Sequence, residues 1–266
     1  MSADVATLEA RAERLLGAHH AEVPLLLPNV WDAASARAVA GAGFEAVATS
    51  SRAVAQVLGE ADDDSSDPDL AFGWVARVAR AVPVPVTADL EAGYRLAPAE
   101  LVERLLEAGA VGCNLEDTDH HGDGVLVEAE QQAAYLADVR AESDSAGVHV
   151  VLNARVDAFI RHFGDEDAQL REAVMRGRLY MEAGADCVYP IAVSRARDVA
   201  ELVESLPGPL NVMARRGGFR IGDLATLGVR RVSLASGLFQ MVAAYLHDIA
   251  ARLADGVELD DLSAPP

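Results

Sequence analysis

The sequence predicts an α/β chain closed as a (β/α)8 TIM barrel, one domain over residues 1–266, and three observations predict it. Eight short apolar runs bounded by turn residues lie at about 23–29, 44–50, 84–90, 111–116, 149–156, 186–191, 209–213 and 230–235. Between them lie stretches of helical spacing rich in Ala, Leu, Glu and Arg, several of which end in Gly just before the next run. The length, 266 residues with 51% apolar, matches the roughly 250 residues that such a barrel uses. Continuous apolar strands alternating with helices favour a closed parallel sheet over an open doubly wound one.

Taken in order, residues 5–17 have amphipathic spacing and form a short extra helix ahead of the first strand. The helical stretches at 32–42, 98–108, 128–142, 167–183 and 195–205 follow strands, and the phrase Ala-Gly recurs at their ends as Ala40-Gly-Ala-Gly-Phe, Glu107-Ala-Gly-Ala-Val and Glu182-Ala-Gly-Ala-Asp. Asp32 opens its helix as an N-cap or first-turn acid, and Trp31 beside it is first of all a packed aromatic. Gly237 to Leu253 forms the eighth helix, and Asp255 onward reads as a frayed tail.

A formal charge of −20 repels phosphate backbones and anionic lipid surfaces, so neither a nucleic acid nor a membrane is expected as partner, whereas a small anionic substrate can still be held by local Arg residues. No stretch approaches the roughly 20 apolar residues of a membrane span, and Met1-Ser-Ala-Asp-Val lacks the layout of a secretory leader, so a cytoplasmic protein is expected. Cys113 and Cys187 lie inside apolar runs and read as buried thiols. All 22 basic residues are Arg, which excludes Schiff-base chemistry by a protein amine and a P-loop, both of which need Lys.

Chemistry collects where the apolar runs end. Asp89 and Glu91 close one run, Glu116 and Asp117 the next, and the run after that supplies Arg155 and Asp157. In a barrel of this kind reactive groups come from the C-terminal ends of strands. Strand alternation puts Thr87, Asp89 and Glu91 on one face, Asn114 and Glu116 on another shared face, and Asn153, Arg155 and Asp157 on a third, so each set can line the mouth, while Asp117 points away. Carboxylates crowded at one mouth raise one another's pKa unless a cation compensates them. An all-oxygen donor set favours Mg²⁺, or Mn²⁺, over zinc.

Over nearly its whole length the chain resembles the isocitrate lyase / phosphoenolpyruvate mutase superfamily, through Pro28-Asn-Val-Trp-Asp-Ala-Ala-Ser-Ala, Ala42-Gly-Phe-Glu-Ala-Val-Ala-Thr-Ser50, Ala88-Asp-Leu-Glu-Ala-Gly-Tyr94, Asn114-Leu-Glu-Asp117 and Asn153-Ala-Arg155. The resemblance implies a barrel whose last helix swaps onto a neighbouring subunit, a homodimer or homotetramer, and Mg²⁺ binding an α-oxyacid. By position it implies Asp89 as direct metal ligand and Glu91, Glu116 and Asp62 as holders of metal-bound water, with a register slip from Asp62 to Asp63 or Asp64 left open. Arg155 and the backbone at Ser50 and Ser51 would hold the substrate carboxylate, and Trp31 would border it.

The departures fall in the loop Thr118-Asp-His-His-Gly-Asp-Gly-Val-Leu-Val127, which reads as short and mobile. It has neither the Cys and Lys of the lyase signature nor the Lys and Asn of the phosphonate enzymes. Ser51 and Arg95 also stand where the family has Gly. His120 and His121 are the loop's groups titrating near neutrality and are assigned the vacant acid/base role, with Tyr94 as a second candidate acid. Asn153 and Asn211 are assigned to the substrate, and Arg215 or Arg216, or else Arg52, to a second anionic group on it.

These readings together predict a Mg²⁺-dependent lyase that cleaves a C–C bond of a small 2-oxo or 2-hydroxy carboxylic acid by way of an enolate. The alternatives are a C–P bond mutase or hydrolase of the same family and a non-catalytic 2-oxo acid binding protein.

Overall fold

The computed structural model describes residues 4–262. Helix α1, Val5–Ala18, starts where the Asp4 carboxylate accepts from Thr7 N at 2.8 Å. The first apolar run forms two strands, β1 (Leu25–Leu27) and β2 (Asn29–Val30), rather than one. Pro28 sits between them, has no N–H to give a ladder, and marks the point where the run changes neighbours. Then follow α2 (Ala33–Gly41), β3 (Val47–Thr49), α3 (Ser51–Leu58), α4 (Pro68–Ala81) and β4 (Val86–Asp89). The Asp32 expectation holds in detail: its carboxylate accepts from Ser35 N at 2.7 Å while Ser35 Oγ accepts from Asp32 N at 3.1 Å.

The second half continues as α5 (Pro98–Glu107), β5 (Gly112–Glu116), α6 (Ala129–Ser145), β6 (Val151–Val156), α7 (Glu166–Glu182), β7 (Cys187–Pro190), α8 (Ala196–Ser205), β8 (Asn211–Met213), α9 (Ile221–Thr226), β9 (Arg231–Ser233) and α10 (Gly237–Ala254). Helices α3, α4 and α9 are additional to the sequence expectation. Their segments are short or begin in the acidic stretch 60–69, where charge hides the helical period.

Every strand pairing is parallel. Six strands run in the order β2-β3-β4-β5-β6-β7 and three in the order β1-β9-β8. The two sheets meet twice, at Pro28 and at a parallel bridge from Val188 to Leu210, so the eight apolar runs follow one another in sequence. The main apolar core lies between strands and outer helices. A second cluster forms where Leu8, Ala12 and Leu15 of α1 pack on Leu27, Ala46, Ala48, Val111 and Val151. Gly112 is required there, because a Cβ would come within 2.9 Å of Leu15 Cδ2 and of the Val151 carbonyl.

Helix α10 buries none of its 18 residues, and Met241, Val242 and Leu246 are 53%, 54% and 64% exposed. Past it the expected frayed tail is ordered in part: Leu259–Asp261 make a 3₁₀ turn, and residues 263–266 lie outside the described residues. Among the described residues no helix is long and apolar enough to cross a membrane.

Candidate active site

The ends of β3 to β6 bring the acidic groups together. Ser50 caps α3, its Oγ accepting from Ala53 N at 3.3 Å, and the next residue, Ser51, donates both its N–H and its hydroxyl to Asp89 Oδ2 at 3.1 and 3.0 Å. The α3 N-terminus thus faces the carboxylate that ends β4, where its dipole favours negative charge. The other oxygen, Asp89 Oδ1, accepts from Asn114 Nδ2 at 3.3 Å. Glu91 lies just past the strand with φ +52°, a left-handed turn that bends the chain, and its carboxylate accepts from the backbone N–H of Asp64. At the end of β5, Glu116 contacts both Arg155 Nη1 and His120 Nε2. Arg155 also donates to Asp157 from Nε at 2.7 Å and from Nη2 at 3.1 Å.

Asp62, Asp89, Glu91 and Glu116 all line one cavity of about 590 Å³, together with Ser50, Ser51, Arg155 and His120. Burial first, and then the charges of Asp62, Asp89 and Glu116, push the Glu91 carboxyl up to about 8 despite the Asp64 N–H. Burial and the neighbouring Asp89 also raise Asp62, and burial raises Glu116 against the opposing pull of Arg155. The hydrogen bond to Glu116 raises His120 above its ordinary value. These four carboxylates are the groups that could hold a hard cation. Among the described residues, however, no three His, Cys, Asp or Glu side chains converge as a ready cage.

Other expected site residues lie elsewhere. Asn153 and Asn211 are 1% and 0% exposed and sit inside the barrel, away from the cavity wall. Asn153 Nδ2 donates to Asn114 Oδ1 at 2.7 Å. Tyr94, with φ +54°, packs edge-on to Phe72 and reaches Glu91 from behind, so it does not face the cavity. Trp31 stacks edge-to-face on Phe239 at 5.2 Å, and its carbonyl accepts from Trp74 Nε1; it too lies off the cavity wall. His121 turns to Asp64 Oδ2 at 3.1 Å and lines a neighbouring cavity, which leaves His120 as the loop histidine facing the main one. Asp64 is a bracket rather than a ligand: its Oδ1 accepts from Ala92 N and Tyr94 N at 3.1 and 2.8 Å.

The loop carrying these histidines is braced. Asp119 Oδ1 accepts from His121 N and Gly122 N at 3.0 and 2.9 Å, and Thr118 bridges Leu126. Asp117 points away from the cavity, as alternation predicts, and is fully buried against Arg176 and Tyr180 of α7. Arg215 and Arg52 line the cavity and make no ion pair among the described residues, whereas Arg216 lies outside it. The sequence reading missed Tyr189 on β7 and Arg161, Ser236 and Gln240 from segments after strand ends, all of which also line the cavity. Arg161 donates to Thr118 Oγ1 at 3.1 Å, a contact that no spacing rule anticipates.

The sequence model for phosphoenolpyruvate phosphomutase matches residues 15–254. A solved candidate phosphonomutase from Burkholderia cenocepacia J2315 superimposes with a TM-score of 0.85 at 34% identity, over 91% of this chain and 99% of that one. The chloroplastic carboxyvinyl-carboxyphosphonate phosphorylmutase of Arabidopsis thaliana is 30% identical over 90% of this chain and 69% of its own length. The 2-methylisocitrate lyase of Halalkalibacterium halodurans is 28% identical over 83% of this chain and 71% of its own. With its parallel α/β architecture and the acidic cavity at the strand ends, the chain belongs to the phosphoenolpyruvate phosphomutase family, within the isocitrate lyase / phosphoenolpyruvate mutase superfamily of lyases and mutases that act on small carboxylates.

Proposed function

We propose that this protein is a Mg²⁺-dependent lyase that cleaves a C–C bond of a small 2-oxo or 2-hydroxy carboxylic acid. The observation that carries this reading is the joint presence of Asp62, Asp89, Glu91, Glu116 and Arg155 on one cavity wall. The donor set fits a hard divalent cation: it is oxygen only, burial raises Asp62, Glu91 and Glu116, and repulsion within the set raises Asp62 and Glu91 further, a cost that a cation would relieve. Asp89 would hold the ion directly, with Asp62, Glu91 and Glu116 supporting it. When bound, such an ion acts as a Lewis acid toward an oxygen that gains negative charge.

The chain's own residues supply the rest. Ser51 and Asn114 fix both oxygens of Asp89. Arg155, balanced by Glu116 and Asp157, presents a guanidinium for the substrate carboxylate, while Arg215 and Arg52 suit a second acidic group. His120, held by Glu116 at Nε2 and raised by that contact, can supply the proton that the departing fragment takes up. The absence of lysine from the whole chain leaves no Schiff-base route, so C–C cleavage here would rest on a bound cation, and a C–P reaction, named for one relative, is the alternative.

The test is to incubate the purified protein with Mg²⁺ and a set of 2-oxo and 2-hydroxy di- and tricarboxylates, assaying pyruvate, glyoxylate, CO₂ and phosphate separately. A carbon fragment without phosphate supports the proposal. Phosphate from phosphonopyruvate would replace it with the C–P reading, and tight oxalate binding with no product from any acid would replace it with a binding protein.

A further inference from the structure

Arg231 is 0% exposed in the barrel interior, on β9, opposite Leu25 and Asn211. An arginine there stays charged, yet no carboxylate forms an ion pair with it among the described residues. The two side chains that its guanidinium meets are neutral. Nη1 lies 3.4 Å from His19 Nε2, and Nη2 donates to Asn114 Oδ1 at 3.0 Å. His19 Nδ1 meets the Leu15 carbonyl at 2.7 Å and must be the protonated nitrogen, which leaves Nε2 as an acceptor. Burial, and after it the Arg231 charge, push His19 down to about 4, consistent with a neutral ring.

The Asn114 amide is the informative group. Its Oδ1 accepts twice, from Arg231 Nη2 and from Asn153 Nδ2 at 2.7 Å, and its Nδ2 donates to Asp89 Oδ1 at 3.3 Å. Turned over, the amide would set its carbonyl against a carboxylate and its NH₂ against a guanidinium and a second NH₂, three repulsive contacts in place of three favourable ones. Of the donors below Asn114, Arg231 is the charged one and sets the orientation most strongly.

We propose that Arg231 is a positioning residue for the candidate site: it fixes the Asn114 amide so that Nδ2 points at Asp89, and so holds that carboxylate toward the cavity. The inference rests on the reading of Asp89 as a cation ligand for its functional meaning, but not for its geometry. Groups that orient a ligand typically contribute 10–100-fold to metal affinity.

The experiment uses Arg231→Met, Arg231→Lys, Asn114→Leu and the Met/Leu double variant of the full chain. Two readouts apply: the metal-free crystal structure, and the Kd for Mn²⁺ by isothermal titration calorimetry. In Arg231→Met the Asn114–Asp89 contact is expected to break and Mn²⁺ to bind about tenfold more weakly, with Arg231→Lys recovering part of the loss. The double variant should be no weaker than Asn114→Leu alone, because the effect travels through the amide. An intact Asn114–Asp89 contact in Arg231→Met, or single effects that multiply in the double variant, overturns the proposal. If Arg231→Met does not fold, the structure of Arg231→Lys decides in its place: one nitrogen replaces the two that meet His19 and Asn114, so the Asn114–Asp89 contact is expected to lengthen, and an unchanged contact overturns the proposal. If wild-type protein binds no Mn²⁺, the cation reading fails, and the crystal structures still decide this one.

Discussion

Replacing Arg176 with Met tests whether the buried acid behind the site depends on its counter-charge. Asp117 is fully buried and accepts from Arg176 Nη1 at 3.1 Å, Tyr180 OH at 2.8 Å and Asp157 N at 2.8 Å. Arg176→Met removes the one cation in this set and leaves a carboxylate with two neutral donors. It also frees Glu172, which Arg176 Nε holds at 2.6 Å. Breaking one side of a buried pair costs about 3–5 kcal/mol. For a chain of this size that corresponds to a Tm lower by about 10 °C.

The pH dependence adds a second constraint. Burial, and then the Asp157 charge, lift the Asp117 carboxyl to about 6. A carboxyl whose folded value exceeds its unfolded value of about 3.9 favours the fold below that lower value, and the contribution is lost as pH rises through the folded one. Without Arg176 the carboxyl rises further, so the gap between variant and wild type should be smaller at pH 5 than at pH 8. Urea unfolding at both pH values measures this. Asp117→Asn combined with Arg176→Met should recover at least about 1 kcal/mol, because the fully buried charge is then gone and Glu172, the carboxylate still unpaired, is partly exposed. A single variant within about 1 kcal/mol of wild type, or a double variant as unstable as the single, would refute the reasoning.

Other outcomes are equally definite. His120→Gln should lower kcat by about 10²–10⁴ and remove the basic limb of its pH profile, since contact with Glu116 raises His120 and the acid form is lost as pH climbs through that raised value; His121→Gln, facing the other cavity, should change kcat far less. Arg215→Ala should weaken dicarboxylate binding by roughly tenfold in calorimetry and leave monocarboxylates unchanged, because a charge-assisted hydrogen bond contributes about 1.5–3 kcal/mol. Helix α10, with no buried residue, suits a second copy of the chain; light scattering should show a dimer or larger for wild type and a smaller mass for Met241→Glu with Leu246→Glu.

The strands and their order were legible because a parallel sheet buried on both faces leaves an unbroken apolar signal. Asp89 and Glu116 were legible because a charge at the end of such a run has few other places to go. Height along the barrel was not. Alternation correctly turned Asn153 inward, yet at roughly 3.3 Å per residue it lies about 7 Å below Arg155, under the cavity rather than in it. Asn211 went the same way. Tyr94 was misjudged because the chain leaves the strand at Asp89 and enters a run of left-handed turns at Glu91, Tyr94 and Arg95, where strand parity no longer applies. Arg161, Ser236 and Gln240 come from segments after strand ends, whose course depends on packing far away in the chain.

Helix α1 gives the barrel opposite ends with different duties. Leu8, Ala12 and Leu15 stopper the floor, while the acids, Arg155 and His120 stand at the rim. Each stoppering leucine contributes about 1.5–3 kcal/mol of apolar burial and touches nothing that reacts. Robustness and chemistry can therefore be tuned from different ends of the molecule, so evolution or an engineer can remodel the rim loops while the stopper holds the staves in place.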